Sequence, residues 1–455
     1  MTMNNQEWSI KIDEELKTLV DKSAESARWS RRSIYRIPAT VTELNKRAYK
    51  PQIVSFGPYH HGVDYLKPME EHKRRALLHF LKRAGKTIGS CVDALTPVVQ
   101  DLKDAYDQLD ARWQNDTVAF LQMMIVDGCF ILEILRATTP PDQPHPQDRT
   151  PAEEPAGGED YASNDPIFSK HGKLYIVPYL RRDMLMLENQ IPMLVFEKLV
   201  SIQNDPSLKR GNELTRRLLK FLSQPISPKQ FLHFGKCLHI LDVYRKSLLL
   251  EEPRTRGTHS KGAKPGDVHH GGDEIIRSAT ELNEAGITIV KSKTRSLRDI
   301  SFHKGVLKLP LVVVDDALES LYLNMIAFER FHVGAGNEVT SYAFFMDNII
   351  DNARDVSLLH ECGIVQNALG SDKAVANLFN ALSKDVTLDP ESRLDDVHKQ
   401  VSAYCQKRWN RWRANLMHTY FTNPWAILSV IAAALLFALT IVQTVYSVMP
   451  YVVPK

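Results

Sequence analysis

The chain closes on NPWAILSVIAAALLFALTIVQTVYSVMPYVVPK, and from Asn423 onward no Asp, Glu, Lys or Arg interrupts it before the terminal Lys455. At the helical rise, such a run is long enough to cross a hydrocarbon core of roughly 30 Å. The sequence therefore predicts a transmembrane helix over 424–448, carried by Trp425, Ala426, Ile427, Leu428, Leu435, Leu436, Phe437, Ile441 and Val442, with a short tail at 449–455. Thr422 or Asn423 is placed to cap its first turn, and Pro424 falls near N1, where a missing N–H costs nothing. Trp409, Trp412 and Trp425 on one side, and Tyr446 and Tyr451 on the other, are placed for the two interfacial belts. A buried core helix is the competing reading of any apolar run.

The flanks give the expected orientation. Lys399, Lys407, Arg408, Arg411 and Arg413 precede the span and only Lys455 follows it, so the positive-inside rule puts the body in the cytosol, on the plasma membrane or an endomembrane. Residues 397–422 read as a basic juxtamembrane amphipathic helix, with Val397, Val401, Tyr404, Trp412 and Leu416 at near-helical spacing. On that reading Lys407, Arg408, Arg411 and Arg413 meet anionic membrane lipid, each adding about 1 kcal/mol. A solvated helix that simply continues into the span fits the same pattern. Ala432, Ala433, Ala434 and Ala438 would let another span pack closely, which leaves an oligomer through the transmembrane helix open. The N-terminus carries charge throughout and has no apolar run of signal-peptide length.

Charge and cysteine usage narrow the function classes. A formal charge of +3, from 57 basic and 54 acidic residues, creates no field that would favour nucleic acid, and no nucleic-acid partner is expected. Cys91, Cys129, Cys237, Cys362 and Cys405 are scattered, with no C-x-x-C pair, which suits a reducing compartment and points to no metal or cofactor. The stretches at 138–165 and 251–273 are dense in Pro, Gly and charge and read as disordered insertions. They divide a body at 31–396 that follows an N-terminal helical arm at 1–30. His259, His269 and His270 in the second insertion read as solvated rather than metal-binding.

Most of the body carries the helical period. DTVAFLQMMIVDGCFILEILR is apolar nearly all round, as a helix in the centre of a domain should be. RRDMLMLENQIPMLVFEKLV places Met184, Leu187, Ile191, Leu194, Val195 and Leu199 at helical spacing, with a kink expected at Pro192. SATELNEAG offers a capping box from Ser278 and Glu281, with Gly286 as the stop, and Gly363 and Ser371 punctuate two later helices. GITIVKSK and GVLKLPLVVVDD are β-branched and predict a small antiparallel sheet near 286–316. The expected class is mainly α: a helical globular body with a small antiparallel β element and one C-terminal transmembrane helix.

Several stretches resemble one family. IYRIP at 34–38, YKPQIVSFGPYHHG at 49–62, LKPMEEHKRR, MMIVDGCFILEIL, DMLMLENQIPMLVFEKL, SATELNEAGI, GVLKLPLVVVDD, LNMIAFER, DNIIDNARDVSLLHECGIV and YFTNPWA together resemble the plant family called domain of unknown function 247. The likeness covers nearly the whole chain after about residue 30. It implies a plant-specific, mostly helical protein that ends in one transmembrane helix and has no established enzymatic activity. Some grass members are associated with pollen-side self-incompatibility, a recognition role that membership alone does not transfer.

The sharpest enzyme reading uses polar residues set in apolar helices. Asp127 and Glu133 lie within the most apolar stretch, and Glu188, Asn189 and Gln190 interrupt the next one. Buried carboxylates have perturbed pKa values and suit acid–base work, glycoside hydrolysis included. The competing reading has them satisfied by Arg74, Arg75, Arg181 or Arg182, with LENQIP a polar brace around the kink. The second candidate is the turn Gly57, Pro58, Tyr59, His60, His61 and Gly62. Its histidines, with Glu70, Glu71 and His72, have metal-binding chemistry, but a tight Gly-Pro turn whose histidines bond a neighbouring segment is the favoured reading. Gly85-Lys86-Thr87 fails as a phosphate loop, because Phe80 stands where the pattern needs glycine. Asn115-Asp116-Thr117 is a formal glycosylation sequon.

The residues thus point to a membrane-anchored, non-enzymatic protein that acts as an interaction or signalling module on an unidentified protein partner, with its body in the cytosol. An extracellular recognition protein and a hydrolase using the buried carboxylates are the alternatives.

Overall fold

The computed structural model describes residues 5–17, 26, 29–139, 160–203, 212–224, 234–250, 277–384, 393–408, 410, 412–413 and 424–452. The insertion at 251–273, residues 140–159 of the other insertion, and Trp409, Arg411, Leu416, Thr422 and Asn423 lie outside them. From the N-terminus the helices of the chain include α1 (Asn5–Lys17), α2 (Lys46–Tyr49), α3 (Pro68–Ala84), α4 (Thr117–Thr138), α5 (Lys170–Tyr175), α6 (Val177–Asp183), α7 (Met193–Ile202) and α8 (Ile240–Leu248). Next come α9 (Ala279–Glu284), β1 (Thr288–Lys291), β2 (Ser301–His303), β3 (Val306–Leu309) and β4 (Val312–Val314). The remainder forms α10 (Leu318–Phe331), α11 (Glu338–Ile349), α12 (Ala353–Glu361), β5 (Val365–Asn367), α13 (Asp372–Leu382), α14 (Arg393–Cys405) and α15 (Pro424–Val452). The class is mainly α, as the sequence predicts.

Two compact units are present, each built from two stretches of chain: Met1–Gly257 with Asp316–Thr340, and Thr258–Asp315 with Ser341–Lys455. The first is organised around α4. Phe120, Met124, Ile125, Phe130, Ile131 and Ile134 are all buried, and only the first turns, at Val118 and Gln122, show an exposed side. α3 lies along it and contributes an apolar stripe of Met69, Ala76, Leu77, Phe80 and Ala84. α7 approaches another side at Gly128, where a Cβ would stand 2.6 Å from Leu199 Cδ1 and 2.9 Å from Val195 Cγ1. α10 completes the unit: its Glu329 pairs with buried Arg245 of α8 at 2.7 Å and accepts the Val339 and Thr340 N–H groups at the start of α11.

The Pro192 expectation needs correction. Instead of one kinked helix, α6 stops at Asp183, a single 3₁₀ turn spans Leu187–Asn189, and α7 starts anew after Pro192 at its N-cap. Between Asp183 and Pro192 the amides of Asn189 and Gln190 bond backbone carbonyls that a continuous helix would use itself.

In the second unit the sheet is mixed rather than antiparallel. β2 and β3 form the antiparallel hairpin, turned at Lys304 and Gly305 with φ of 49° and 83°, as a type I′ turn requires. β1 pairs with β3 in parallel, and β4 with β5 likewise. Short β-branched runs announce strands, but not the direction of their neighbours. The capping box at Ser278 does not form: Ser278 occupies the N-cap without a side-chain bond, and buried Asp355 of α12 accepts the Thr280 N–H of that first turn at 2.8 Å. Gly286, at φ 92°, ends α9 as expected.

α14 buries Val397, Val401 and Cys405, and its Tyr404 ring meets Phe302 edge-on at 5.5 Å. The apolar face read as lipid-facing is therefore covered by protein up to Cys405, where the helix ends. Lys407 and Arg408 beyond it are exposed, and Arg413 lies against Gly286. α15 contains a 20-residue stretch, Leu428–Ser447, long and apolar enough to cross a membrane, with none of it buried by the protein. Its Thr440 and Thr444 hydroxyls donate to the carbonyls one turn back, so they present no unsatisfied group outward. α4 has the same length and apolarity but is mostly buried, as a core helix is.

Candidate functional site

The polar residues singled out in the sequence divide between two places in the first unit. The larger is a buried polar junction into which the irregular segment from Pro51 to Gly62 is threaded. Asp183, at the end of α6, accepts the Gln52, Ile53 and Val54 N–H groups at 2.8 to 3.1 Å. Asn189 accepts the Phe56 N–H at 2.7 Å and donates to the Val54 carbonyl at 3.1 Å. Asp127 accepts the Gly57 N–H at 2.8 Å. An extended segment without a strand partner has to find acceptors for its N–H groups, and side chains from three helical segments supply them.

Lys73 completes the junction. Although fully buried on α3, it donates to Asp127 Oδ1 at 2.7 Å, to Glu70 Oε1 at 2.7 Å and to the Ser55 carbonyl. Three protons thus meet three acceptors. Burial pushes the Asp127 carboxyl upward, opposed by the Lys73 ammonium and the Gly57 N–H. Burial likewise pushes Asp183 upward against the N–H groups of Ile53, Gln52 and Val54. Gly57 itself sits at φ 68°, and a Cβ there would stand 2.7 Å from the Gln190 carbonyl and 2.9 Å from Tyr106 Oη. That carbonyl accepts the Tyr106 hydroxyl at 3.0 Å, and the Gln190 side chain bonds Met184, Met186 and Leu241.

Glu188 stands at the half-buried edge of this junction. It accepts the Ile37 N–H at 2.7 Å, and its other oxygen lies 3.3 Å from His60 Nε2. The Tyr59 hydroxyl donates to the carbonyls of Ile34 and Asp107, and the His61 ring meets Trp113 edge-on at 5.2 Å. The turn histidines are therefore packed against neighbouring segments, and among the described residues no group of His, Cys, Asp or Glu is arranged to hold a metal.

Glu133 is separate. Arg83 and Arg136 pair with it, the latter at 3.3 Å, and Tyr161 donates to it at 3.0 Å. Both arginines also reach Asp160, and Arg75 pairs with Asp165 at 2.8 Å, so 160–165, read as part of an insertion, are tied to the helices. Of the expected partners, neither Arg181 nor Arg182 forms an ion pair with Asp127, Glu133 or Glu188: Arg181 covers the Phe221 ring, and Arg182 bonds the Arg47 carbonyl while its charge favours the Asp183 carboxylate.

Sequence reasoning missed Lys73 and Asp183. Both were visible as charges on an apolar stripe: Lys73 lies four residues after Met69 and seven before Phe80, and Asp183 three after Leu180 and four before Leu187.

Around Asp127 and Asn189 the donors and acceptors are matched, so this part of the junction holds a chain segment, whereas at its edge the buried His60 Nε2 and His61 Nδ1 make no hydrogen bond.

The fold and site thus define a two-unit, mainly helical body with a backbone-bracing polar junction and an uncovered apolar helix. The chain belongs to the DUF247 family, described as plant protein of unknown function, which its residues 34–439 match. It is similar to a UPF0481 protein of Arabidopsis thaliana, 30% identical over 93% of this chain and 87% of the relative. It is also similar to a putative UPF0481 protein of the same plant, 23% identical over 90% of this chain and 89% of that one. No solved structure matches it.

Proposed function

We propose that this protein is a membrane-anchored, non-enzymatic interaction module whose helical body faces the cytosol and binds another protein. The observation that carries the anchor is α15: a stretch of membrane-spanning length and apolarity that the protein leaves wholly uncovered. An apolar surface of that size is costly in water, and a bilayer relieves the cost. Lys407 and Arg408, exposed before it, support the cytosolic side. The binding role is supported by the saturation of Asp127, Glu133 and Asn189 within the fold, which directs attention from interior chemistry to the surface.

Topology tests the reading. The full chain, tagged at its N-terminus, is expressed in plant cells, and isolated membranes are treated with protease from the cytosolic side while Asn115, which is exposed, is scored for glycan. Digestion of the body without a glycan is the expected result. A protected, glycosylated body overturns the orientation and favours extracellular recognition. Release of the intact chain by alkaline carbonate overturns the anchor.

A further inference from the structure

The second unit holds a cavity of about 560 Å³ between the start of α9, the end of α11, the turn at 351–352, the first residues of α12, and α13. Buried Asp355 ties its sides together, accepting the Thr280 N–H at 2.8 Å, the Asn352 N–H at 3.1 Å and the Asp351 N–H at 3.2 Å. Two motifs of the sequence, SATELNEAG and DNIIDNARD, thus meet around one space, and neither has a part in the junction of the first unit. The wall is polar throughout. Asp347, Asn348, Thr280 and Asn380 are half-buried around it, and Arg277, Glu281, Asp351 and Arg354 are exposed. The Thr280 hydroxyl oxygen is buried without a hydrogen-bond partner. Burial pushes the Asp347 carboxyl upward; a hydrogen bond from Ser383 opposes the push, and the charge of Asp351 adds to it.

Each property of this wall excludes a class of occupant. No aliphatic or aromatic residue among the described ones lines it, so it offers nothing to a nucleobase, a lipid chain or the methylene stem of a polyamine. Four carboxylates, from Glu281, Glu284, Asp347 and Asp351, stand against two guanidiniums and disfavour phosphate or another anion. Among the described residues no group of His, Cys, Asp or Glu is arranged to hold a metal. Carboxylates, guanidiniums, carboxamides and hydroxyls around one space match a molecule that donates and accepts on all sides, as a ring of hydroxyls does. A small zwitterion carries its two charges only a few atoms apart and would meet one part of the wall.

We propose that this cavity binds an uncharged polyol of mono- or disaccharide size, with Asp347 and Asp351 accepting from its hydroxyls and Arg277 and Arg354 donating to them. The buried Thr280 hydroxyl gains its partner from the same ligand. The bonds of Asp355 hold the wall in place before the ligand arrives, which lowers the ordering cost of binding. The assignment is independent of the anchored reading above.

The test is saturation-transfer NMR on the full chain in a detergent without a sugar headgroup. The probes are glucose, galactose, sucrose and myo-inositol, with glycine, spermidine and inorganic phosphate as charged comparisons. At least one polyol should give a signal, and Asp351→Ala and Arg354→Ala should each weaken its affinity about ten-fold. Arg74→Ala, at an exposed site of the first unit, should leave it unchanged. Both cavity side chains are exposed, so their variants should melt as the parent does; Arg277→Ala, also exposed, takes the place of one that does not. No signal from any of the four polyols overturns the proposal. A signal from glycine, spermidine or phosphate alone overturns it and assigns the cavity to that type of charge. Polyol signals that survive the cavity variants also overturn it, because the polyol is then bound elsewhere.

Discussion

Replacing Lys73 by Met keeps an unbranched side chain, one atom shorter, and removes its charge. In the native junction the ammonium is enclosed, 2.7 Å from Asp127 and 2.7 Å from Glu70, with the Ser55 carbonyl as third acceptor. Lys73→Met leaves Asp127 buried with the Gly57 N–H as its one remaining donor, and breaking a buried pair in this way costs about 3 to 5 kcal/mol. For a unit of this size that lowers Tm by about 10 °C. Asp127→Asn should also destabilise, but less, because the Asn carbonyl can still accept the Gly57 N–H and Lys73 keeps Glu70, which reaches solvent. The informative species is the double variant Lys73→Met/Asp127→Asn. With no stranded charge it should be more stable than the sum of the single losses predicts, by about 2 kcal/mol. Thermal unfolding of the full chain in detergent gives the global cost. Hydrogen exchange at the Phe56 and Gly57 amides shows whether the loss originates in the threaded segment. Single costs that add to within about 0.5 kcal/mol, or a Lys73→Met protein as stable as the parent, would refute the reasoning.

Two further outcomes follow from the same unit. Gly57→Ala should cost about 2 to 4 kcal/mol, since its Cβ meets the Gln190 carbonyl at 2.7 Å as well as an unfavourable φ. Gly62→Ala, with φ 85° but open space around it, should cost only about 1 kcal/mol, so similar melting temperatures for the two would remove the steric argument. Buried His239 has its pKa pushed down from 6.5 to about 4, chiefly by burial, so on acidification the unfolded chain takes up a proton before the folded one. Its contribution is present above about pH 6.5 and is lost as pH falls towards about 4, roughly 3 kcal/mol in all. Asp127, Asp183 and Glu329, pushed upward by burial, act in the opposite sense, so the readout is the pH-dependent difference between the parent and His239→Asn; a difference flat from pH 7 to 4 sinks the assignment.

How far these features were legible depended on whether the pattern was local. The apolar run at α15 and the all-round apolarity of α4 are properties of contiguous residues, and both helices are where the pattern puts them. The break before Pro192 was half legible: proline announced a disturbance, but only the carbonyls that Asn189 and Gln190 bond make it a full stop. The division into two units was hidden, because α10 returns to the first unit after the strands of the second, and nothing local marks that return. The cover over α14 was hidden for a similar reason: an amphipathic face looks the same whether lipid or Phe302 lies against it.

The buried charges had two readings in the sequence, and geometry separates what each one requires. Acid–base work needs a carboxylate that can exchange its proton with something outside, whereas a brace needs every lone pair occupied. The segment from Pro51 to Gly62 explains why this fold prefers the second arrangement. Its middle, Val54 to Pro58, is buried in a helical core with no neighbouring strand to take its N–H groups, and hydrogen bonds to charged acceptors are a strong substitute. Asp183 takes three of those groups and Asp127 a fourth, and the Lys73 ammonium opposes the upward push that burial gives the Asp127 carboxyl. On this argument the polar residues inside the helices are a consequence of threading an extended chain through them.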